Sequence, residues 1–214
     1  MKVLAIFSNS ALLRVGSPNL YGFLSKQRNK LSSFLVLDRQ YEEGKFRGPH
    51  FLLEVFDVAA GGEEEGEFLS NCSDFWEENK RENIKELFSR LRKKFDKIFI
   101  FTAYPKALYT ELLVQGAVDH IYGLDYELDD FCISGIKKIE IFHQDAVKKE
   151  LEKYDLLDKF TDEPNRFGLL TYLLDIIVEY HLKKKDIVVV GKGVVALPAH
   201  KWAGQNVVSL EELV

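Results

Sequence analysis

Three short apolar segments of the chain are each followed by side chains that donate hydrogen bonds. Ser8 and Ser10 follow the run VLAIF, Thr102 follows KIFIF, and Lys192 follows IVVV. Such runs are typical of strands buried on both faces of a parallel sheet, and these sheets bind ligands at their carboxyl edge. Hydroxyl, ammonium and backbone N–H groups gathered at that edge favour an anion site without a metal.

The elements that would position these side chains alternate along the sequence. Apolar runs predict buried strands over Val3–Phe7, Lys97–Phe101 and Ile187–Val190. Apolar spacing and terminal capping residues predict helices over Asp74–Lys94, Pro105–Gln115, Gln144–Tyr154 and Pro164–Lys184. This alternation predicts an α/β fold, a Rossmann-like three-layer sandwich with a mainly parallel sheet.

One long segment, residues 14–72, interrupts the alternation. It contains two strand candidates, Leu35–Leu37 and Phe51–Phe56. Near its end, the acidic run Gly61–Gly66 predicts a solvated loop in preference to a metal site.

The turn after the third apolar run resembles a motif of the haloacid dehalogenase (HAD) phosphotransferase superfamily. Gly191–Gly204 reads GKGVVALPAHKWAG, where that superfamily has a pattern like G-D-G-x-x-D-L-P-A-x-x-x-A-G. The two acids that help to hold Mg²⁺ are replaced by Lys192 and Ala196. The first run resembles the start of the superfamily's F-D-x-D-G-T motif, with Ser8 and Ser10 at the nucleophile and acid positions.

Further positions extend the resemblance. Thr102 stands where the superfamily has a Thr or Ser that binds phosphoryl oxygens. The superfamily's lysine before a long helix aligns with Glu163, unless Lys148 or Lys149 has that role. Ala117–Gly135 is similar to a stretch of phosphoserine-phosphatase-like members that reads roughly strand, acidic link, D-D-G-x-x-T-G.

The resemblance also implies a domain organisation. Members of the superfamily carry a cap inserted between the first and second motifs. Residues 1–13 and 73–214 would then form a HAD-like core, and residues 14–72 a cap-like insert over the site.

The superfamily's reaction depends on carboxylates that this chain lacks at the matching positions. One carboxylate attacks phosphorus, a second handles the leaving-group proton, and others hold Mg²⁺. Hydroxyls at Ser8 and Ser10, a cation at Lys192 and a methyl group at Ala196 predict loss of this reaction and of the Mg²⁺ site. The remaining donors could bind an anion, or Lys192 could be solvated or paired with Glu163.

Other residues could supply different chemistry. Asp57, in VFDVAAGG, superficially resembles F-D-x-D-G and is the alternative nucleophile, although the second acid is missing. The histidines have no motif around them and are interpreted as surface or packing residues: His50, His120, His143, His181 and His200.

Composition limits the classes of function. The 214 residues are 46% hydrophobic and 29% charged, as in folded globular proteins. A net charge of −5 disfavours nucleic-acid binding. No apolar run approaches the roughly 20 residues that span a bilayer, and no secretion signal is recognisable. Cys72 and Cys132 form no CxxC motif, which favours the cytoplasm.

Together these features predict a catalytically inactive HAD-like protein that serves as a binding or regulatory module. Its partner would be an unknown protein or a second copy of the chain, without nucleic acid, membrane or Mg²⁺. The alternatives are a divergent HAD-type phosphatase or hydrolase with a rearranged active site, and a sensor of a small anion such as a phosphorylated metabolite.

Overall fold

The structure of the protein is a computed structural model. It describes residues 1–7, 11–45, 48–137, 141–157, 169–192, 196–205 and 209–214. In chain order the strands are β1 (Val3–Phe7), β2 (Lys97–Pro105), β3 (His120–Leu124), β4 (Tyr126–Asp129), β5 (Cys132–Ile136) and β6 (Ile187–Val190). The helices are α1 (Leu20–Gln27), α2 (Leu31–Glu42), α3 (Gly48–Ala60), α4 (Glu65–Asn79), α5 (Ile84–Leu91), α6 (Thr110–Val114), α7 (Gln144–Lys153), α8 (Leu169–Glu179) and α9 (Leu197–Ala203).

A parallel four-stranded sheet in the order β3-β2-β1-β6 lies at the centre of the fold. Val3 of β1 pairs with Lys97 of β2 on one side and with Ile187 of β6 on the other. All four strands run in the same direction, so their carboxyl ends meet at one edge. The three strands predicted from apolar runs are therefore confirmed.

Neighbouring residues of β1 enter two different hydrophobic cores. Leu4 and Ile6 pack on one face of the sheet with residues of α1, α3, α4 and α5. Val3, Ala5 and Phe7 pack on the opposite face with residues of α7, α8 and α9. Because side chains alternate across a strand, a strand buried on both faces reads as a continuous apolar run. Helices cover both faces, which confirms the predicted three-layer α/β sandwich.

The two strands predicted within residues 14–72 are wrong. Leu35–Leu37 lies in α2, and Phe51–Phe56 lies in α3. In α3 the buried residues Val55 and Ala59 lie four positions apart, which is one helical turn. A short apolar run is compatible with either a strand or a helix, and here α2 and α3 pack against each other and against α1 as helices.

The prediction of one helix over Asp74–Lys94 is correct only in part. The chain forms α4 and α5 there, separated by residues 80–83. Lys80 is extended and bridges Leu13, and Arg81 donates its N–H to the Leu12 carbonyl at 3.2 Å. This pairing with a distant segment interrupts the helical pattern.

The acidic run Gly61–Gly66 also differs from the predicted solvated loop. Glu65 begins α4, and Glu63 is buried. The backbone of this run lies beside β5: Ile133 donates its N–H to the Glu63 carbonyl at 2.8 Å, and Glu65 donates to the Phe131 carbonyl at 3.0 Å. The turn is therefore bound to the antiparallel β4–β5 hairpin.

The boundaries of the insert stay a prediction. Its helices contribute Leu20, Phe56 and Phe68 to the same core that contains Leu4 and Ile6 of β1. No helix among the described ranges is long and apolar enough to cross a membrane.

Candidate functional site at the carboxyl edge of the sheet

The ends of β1 and β6 are in direct backbone contact. An ideal Cβ atom on Gly191 would lie 1.8 Å from the carbonyl oxygen of Phe7 and 3.0 Å from Cβ of Ala196. No side chain can occupy that space, so only glycine is compatible with this approach. The contact brings the end of β1, the turn after β6 and the start of α9 together.

The two residues that the sequence resemblance aligns with Mg²⁺-binding acids have opposite environments. Ala196 is fully buried and belongs to the apolar cluster that contains Phe7 and Trp202. Lys192 is exposed and forms no ion pair with any residue that the structure describes. A buried methyl group and an ammonium group provide no oxygen ligand for Mg²⁺.

Thr102 lies at the same edge, but its side chain faces the interior. Only 1% of Thr102 is exposed. Its hydroxyl accepts a hydrogen bond from the Tyr104 N–H at 3.0 Å and shares another with the Tyr109 hydroxyl. The Thr102 hydroxyl therefore has protein partners, in contrast to the solvent-facing donor that an anion would need.

Three of the predicted site residues, Ser8, Ser10 and Glu163, lie outside the described residues. The alternative lysines, Lys148 and Lys149, lie on α7, which packs against α8. The structure thus places Thr102, Lys192 and Ala196 at the carboxyl edge, and the other site predictions stay predictions.

His200 has a larger part in this region than its sequence context indicated. It is buried on α9, and its Nε2 atom lies 3.0 Å from the Gly191 carbonyl oxygen. A carbonyl oxygen can only accept, so Nε2 carries a proton. Nδ1 is buried without a hydrogen-bond partner in the described structure. The signal in the sequence for His200 is its position within the Gly191–Gly204 motif.

Helix α1, which lies within residues 14–72, contacts the end of β2. The Tyr21 hydroxyl donates to the Ala103 carbonyl at 2.6 Å, and the Leu20 N–H donates to the Tyr104 hydroxyl at 3.4 Å. The Tyr21 and Tyr104 rings pack edge to face, with centroids 5.4 Å apart. Burial raises the pKa of the Tyr21 hydroxyl, which therefore stays protonated and remains a donor. Helix α1 is thereby fixed beside the edge.

A cavity of about 510 Å³ opens beside the end of β3. Tyr122 of β3 and Tyr172 of α8 line it, and burial raises the pKa of both phenols. Lys106 and Asp125 form an ion pair of 3.2 Å at the same cavity. The cavity is therefore lined by phenol groups together with one positively charged and one negatively charged side chain.

Two titratable residues, Asp175 and His120, also line this cavity. Asp175 is buried and accepts hydrogen bonds from the N–H groups of Phe142 and His143, and its Oδ1 lies 3.0 Å from Nδ1 of His143. Desolvation and the charge of Lys106 lower the pKa of His120, which favours its neutral form. Asp175 thus fixes the start of α7, and its contacts are structural.

No family model and no curated protein matches the sequence, whereas solved structures match the fold. A HAD family hydrolase from Salmonella enterica subsp. enterica serovar Typhi has a TM-score of 0.68 at 13% identity over 94% of this chain. This chain spans only 60% of that hydrolase. A substrate-bound phosphoserine phosphatase has a TM-score of 0.61 at 13% identity, covering 95% of this chain and 83% of the phosphatase.

A protein of unknown function from Bordetella pertussis Tohama I is similar over almost its whole length. Its TM-score is 0.62 at 14% identity, with 98% of this chain and 99% of that protein covered. At such identities the likeness establishes the fold, which is HAD-like and resembles that of phosphoserine phosphatases.

Proposed function

We propose that this protein is a non-catalytic binding or regulatory module built on a HAD phosphatase fold. The environment of Ala196 carries the proposal. The resemblance assigns this position to an acid that helps to hold Mg²⁺, but Ala196 is fully buried among apolar side chains. A metal-binding carboxylate would need a polar, accessible position instead.

Two further residues support the same proposal. Lys192 places an exposed cation where the superfamily has its other Mg²⁺-binding acid, and the Thr102 hydroxyl is bonded within the protein. The groups of HAD catalysis act as a unit, so the loss of several removes most of the rate enhancement.

A phosphatase assay tests this proposal directly. Purified protein is incubated with p-nitrophenyl phosphate and Mg²⁺, next to the Ser8→Ala variant and the quadruple variant Ser8→Asp, Ser10→Asp, Lys192→Asp, Ala196→Asp. We expect the wild-type protein to be inactive. If the wild-type protein turns over about 1 substrate molecule per second and Ser8→Ala abolishes this activity, the proposal is overturned and the divergent-hydrolase alternative is favoured.

Calorimetry provides a second test, because it needs no knowledge of the substrate. We expect no Mg²⁺ binding at this edge. A sub-millimolar affinity that disappears on mutation of Ser8 or Ser10 would contradict that expectation.

The second candidate function is a sensor of a small anion, and the cavity beside β3 is the observation that favours it. Lys106 at that cavity could bind a phosphate group, although Asp125 already neutralises it. Thermal shift with inorganic phosphate and phosphoserine, repeated on Lys106→Ala, separates the candidates. A shift that depends on Lys106 favours the sensor.

A further inference from the structure

A groove lies between α3 and the β4–β5 hairpin. Its volume is about 470 Å³. Apolar side chains and carboxylates line it together: Leu53, Phe56 and Ile136, with Glu54, Asp57 and Glu127. Asp57, the alternative nucleophile in the sequence, is therefore one of three acids around an apolar surface.

The three carboxylates have no positive partner within the described part of the chain. None of them forms an ion pair or a side-chain hydrogen bond with a described residue. Arg28 reaches the same end of α3, but it donates to the carbonyl oxygens of Gly61 at 2.7 Å and Val58 at 3.3 Å. The groove therefore carries uncompensated negative charge.

The strand beside the groove has an open edge. β4 pairs with β5 on one side, and the described structure has no strand on its other side. Glu127 of β4 stands opposite Gly135 of β5, and both line the groove. Unpaired N–H and C=O groups on such an edge can pair with an added extended segment.

Exposed apolar residues continue this surface beyond the groove. Leu128 of β4 is 44% exposed, and Phe131 in the hairpin turn is 80% exposed. The exposed residues Asp129 and Asp130 lie between them in sequence. The whole edge thus combines apolar contact area with negative charge.

We propose that this groove and the free edge of β4 bind an extended basic segment of another protein, with one Lys or Arg side chain in the groove. The aliphatic part of that side chain would pack on Leu53 and Ile136, and its charged end would meet the carboxylates. The segment's backbone would pair with β4, and an apolar residue would contact Phe131.

Charge selects this occupant over a second copy of the chain. The outer strand reads Tyr-Glu-Leu-Asp, so two copies paired along this edge would bring like charges together, which is destabilising. A basic segment meets the same carboxylates favourably. The groove is separate from the carboxyl edge, so the outcome of the phosphatase assay does not decide this proposal.

Fluorescence anisotropy with a fluorescein-labelled octapeptide of alternating Lys and Val tests the proposal. The groove variant Glu54→Gln, Asp57→Asn, Glu127→Gln is compared with a control that loses the same charge elsewhere: Asp74→Asn, Glu78→Gln, Glu82→Gln. We expect saturable binding that weakens at least about tenfold in the groove variant and less than about twofold in the control. No saturable binding up to about 1 mM, or equal weakening in both variants, would refute the proposal.

Two glycines allow a test that leaves every charge in place. A Cβ atom on Gly135 or on Gly66 meets nothing within 4 Å, and only Gly135 lines the groove. We expect Gly135→Leu to block the peptide and Gly66→Leu to leave binding unchanged. Full binding by a folded Gly135→Leu protein, or a dimer in sedimentation that excludes the peptide, would overturn the assignment.

Discussion

His200 binds the backbone of Gly191 across the turn that follows β6, with 3.0 Å between its Nε2 atom and the carbonyl oxygen. The other side of Gly191 packs against the Phe7 carbonyl, at a distance that no Cβ atom could tolerate. Contacts within the chain therefore hold Gly191 from two sides. The close packing of Gly191 and the burial of Ala196 lead to two predictions about the free energy of unfolding.

Gly191→Ala should destabilise the protein strongly. The new methyl group would overlap the Phe7 carbonyl oxygen, so β1 and β6 would have to separate. We expect a loss of about 2–4 kcal/mol in the free energy of unfolding, measured by urea denaturation. The matched control is Gly66→Ala, whose Cβ atom meets nothing within 4 Å in α4. That change should stabilise by about 0.5–1 kcal/mol, and equal effects of the two changes would contradict the close approach.

Ala196→Asp tests whether this position can accept a carboxylate at all. The side chain would enter a fully buried apolar cluster, so we expect a loss of about 3–5 kcal/mol in the free energy of unfolding. The control is Ala146→Asp at an exposed position in the first turn of α7, where the change should stay within about 0.5 kcal/mol. A stable Ala196→Asp protein that binds Mg²⁺ would show instead that the site is open.

Sequence alone predicted the central strands because their signal is local. β1 and β6 begin and end where the apolar runs do, since burial on both faces requires apolar residues at every position. The same logic failed for Leu35–Leu37 and Phe51–Phe56, where a few apolar residues fit either periodicity and packing among the neighbouring helices α1, α2 and α3 decides.

The sequence predicted which residues belong to the candidate site, but not how their side chains are oriented or buried. The resemblance aligns Ala196 and Lys192 with acids, but the sequence does not show that Ala196 is buried and that Lys192 is exposed. The inward orientation of Thr102 depends on Tyr104 and Tyr109, and these contacts form only when the strand packs in the fold. Side-chain orientation and burial are tertiary properties, and short motifs do not encode them.

Asp119→Asn should destabilise the protein at neutral pH and have no effect in acid. Burial alone would raise the pKa of Asp119, but hydrogen bonds from the Ile98 N–H, Lys97 and Arg92 hold it below its usual value. A carboxyl group with a lowered pKa contributes stability above its unfolded pKa of about 3.9 and loses it as the pH falls through the folded pKa.

The measurement is urea unfolding between pH 2 and pH 7. We expect Asp119→Asn to lose about 1–3 kcal/mol at pH 7, and the two proteins to converge at the lowest pH. Asp74→Asn, at an exposed position, is the control and should match the wild-type protein throughout. A constant difference across the range would assign the effect to packing instead of charge.

Glu63→Gln should show the opposite dependence on pH. Burial raises the pKa of Glu63, and the hydrogen bond from Asn71 and the charge of Arg28 offset this only in part. Asn71 donates to Oε1 at 2.9 Å, whereas Oε2 has no partner. A carboxyl group with a raised pKa contributes stability below its unfolded pKa of about 4.3 and loses it as the pH rises through the folded pKa. The wild-type protein must therefore bury a poorly compensated charge at neutral pH, whereas glutamine carries none.

We accordingly expect the free energy of unfolding of Glu63→Gln to rise relative to wild type between pH 4 and pH 8. The glutamine amide N–H groups also lack a partner, and that cost does not change with pH, so the slope of the difference is the quantity to measure. Glu63 lies where the turn after α3 is bound to β5, and hydrogen exchange at the Ile133 N–H, which donates to the Glu63 carbonyl, should slow in the variant at pH 8. A difference between the proteins that stays flat with pH would show that Glu63 is solvated.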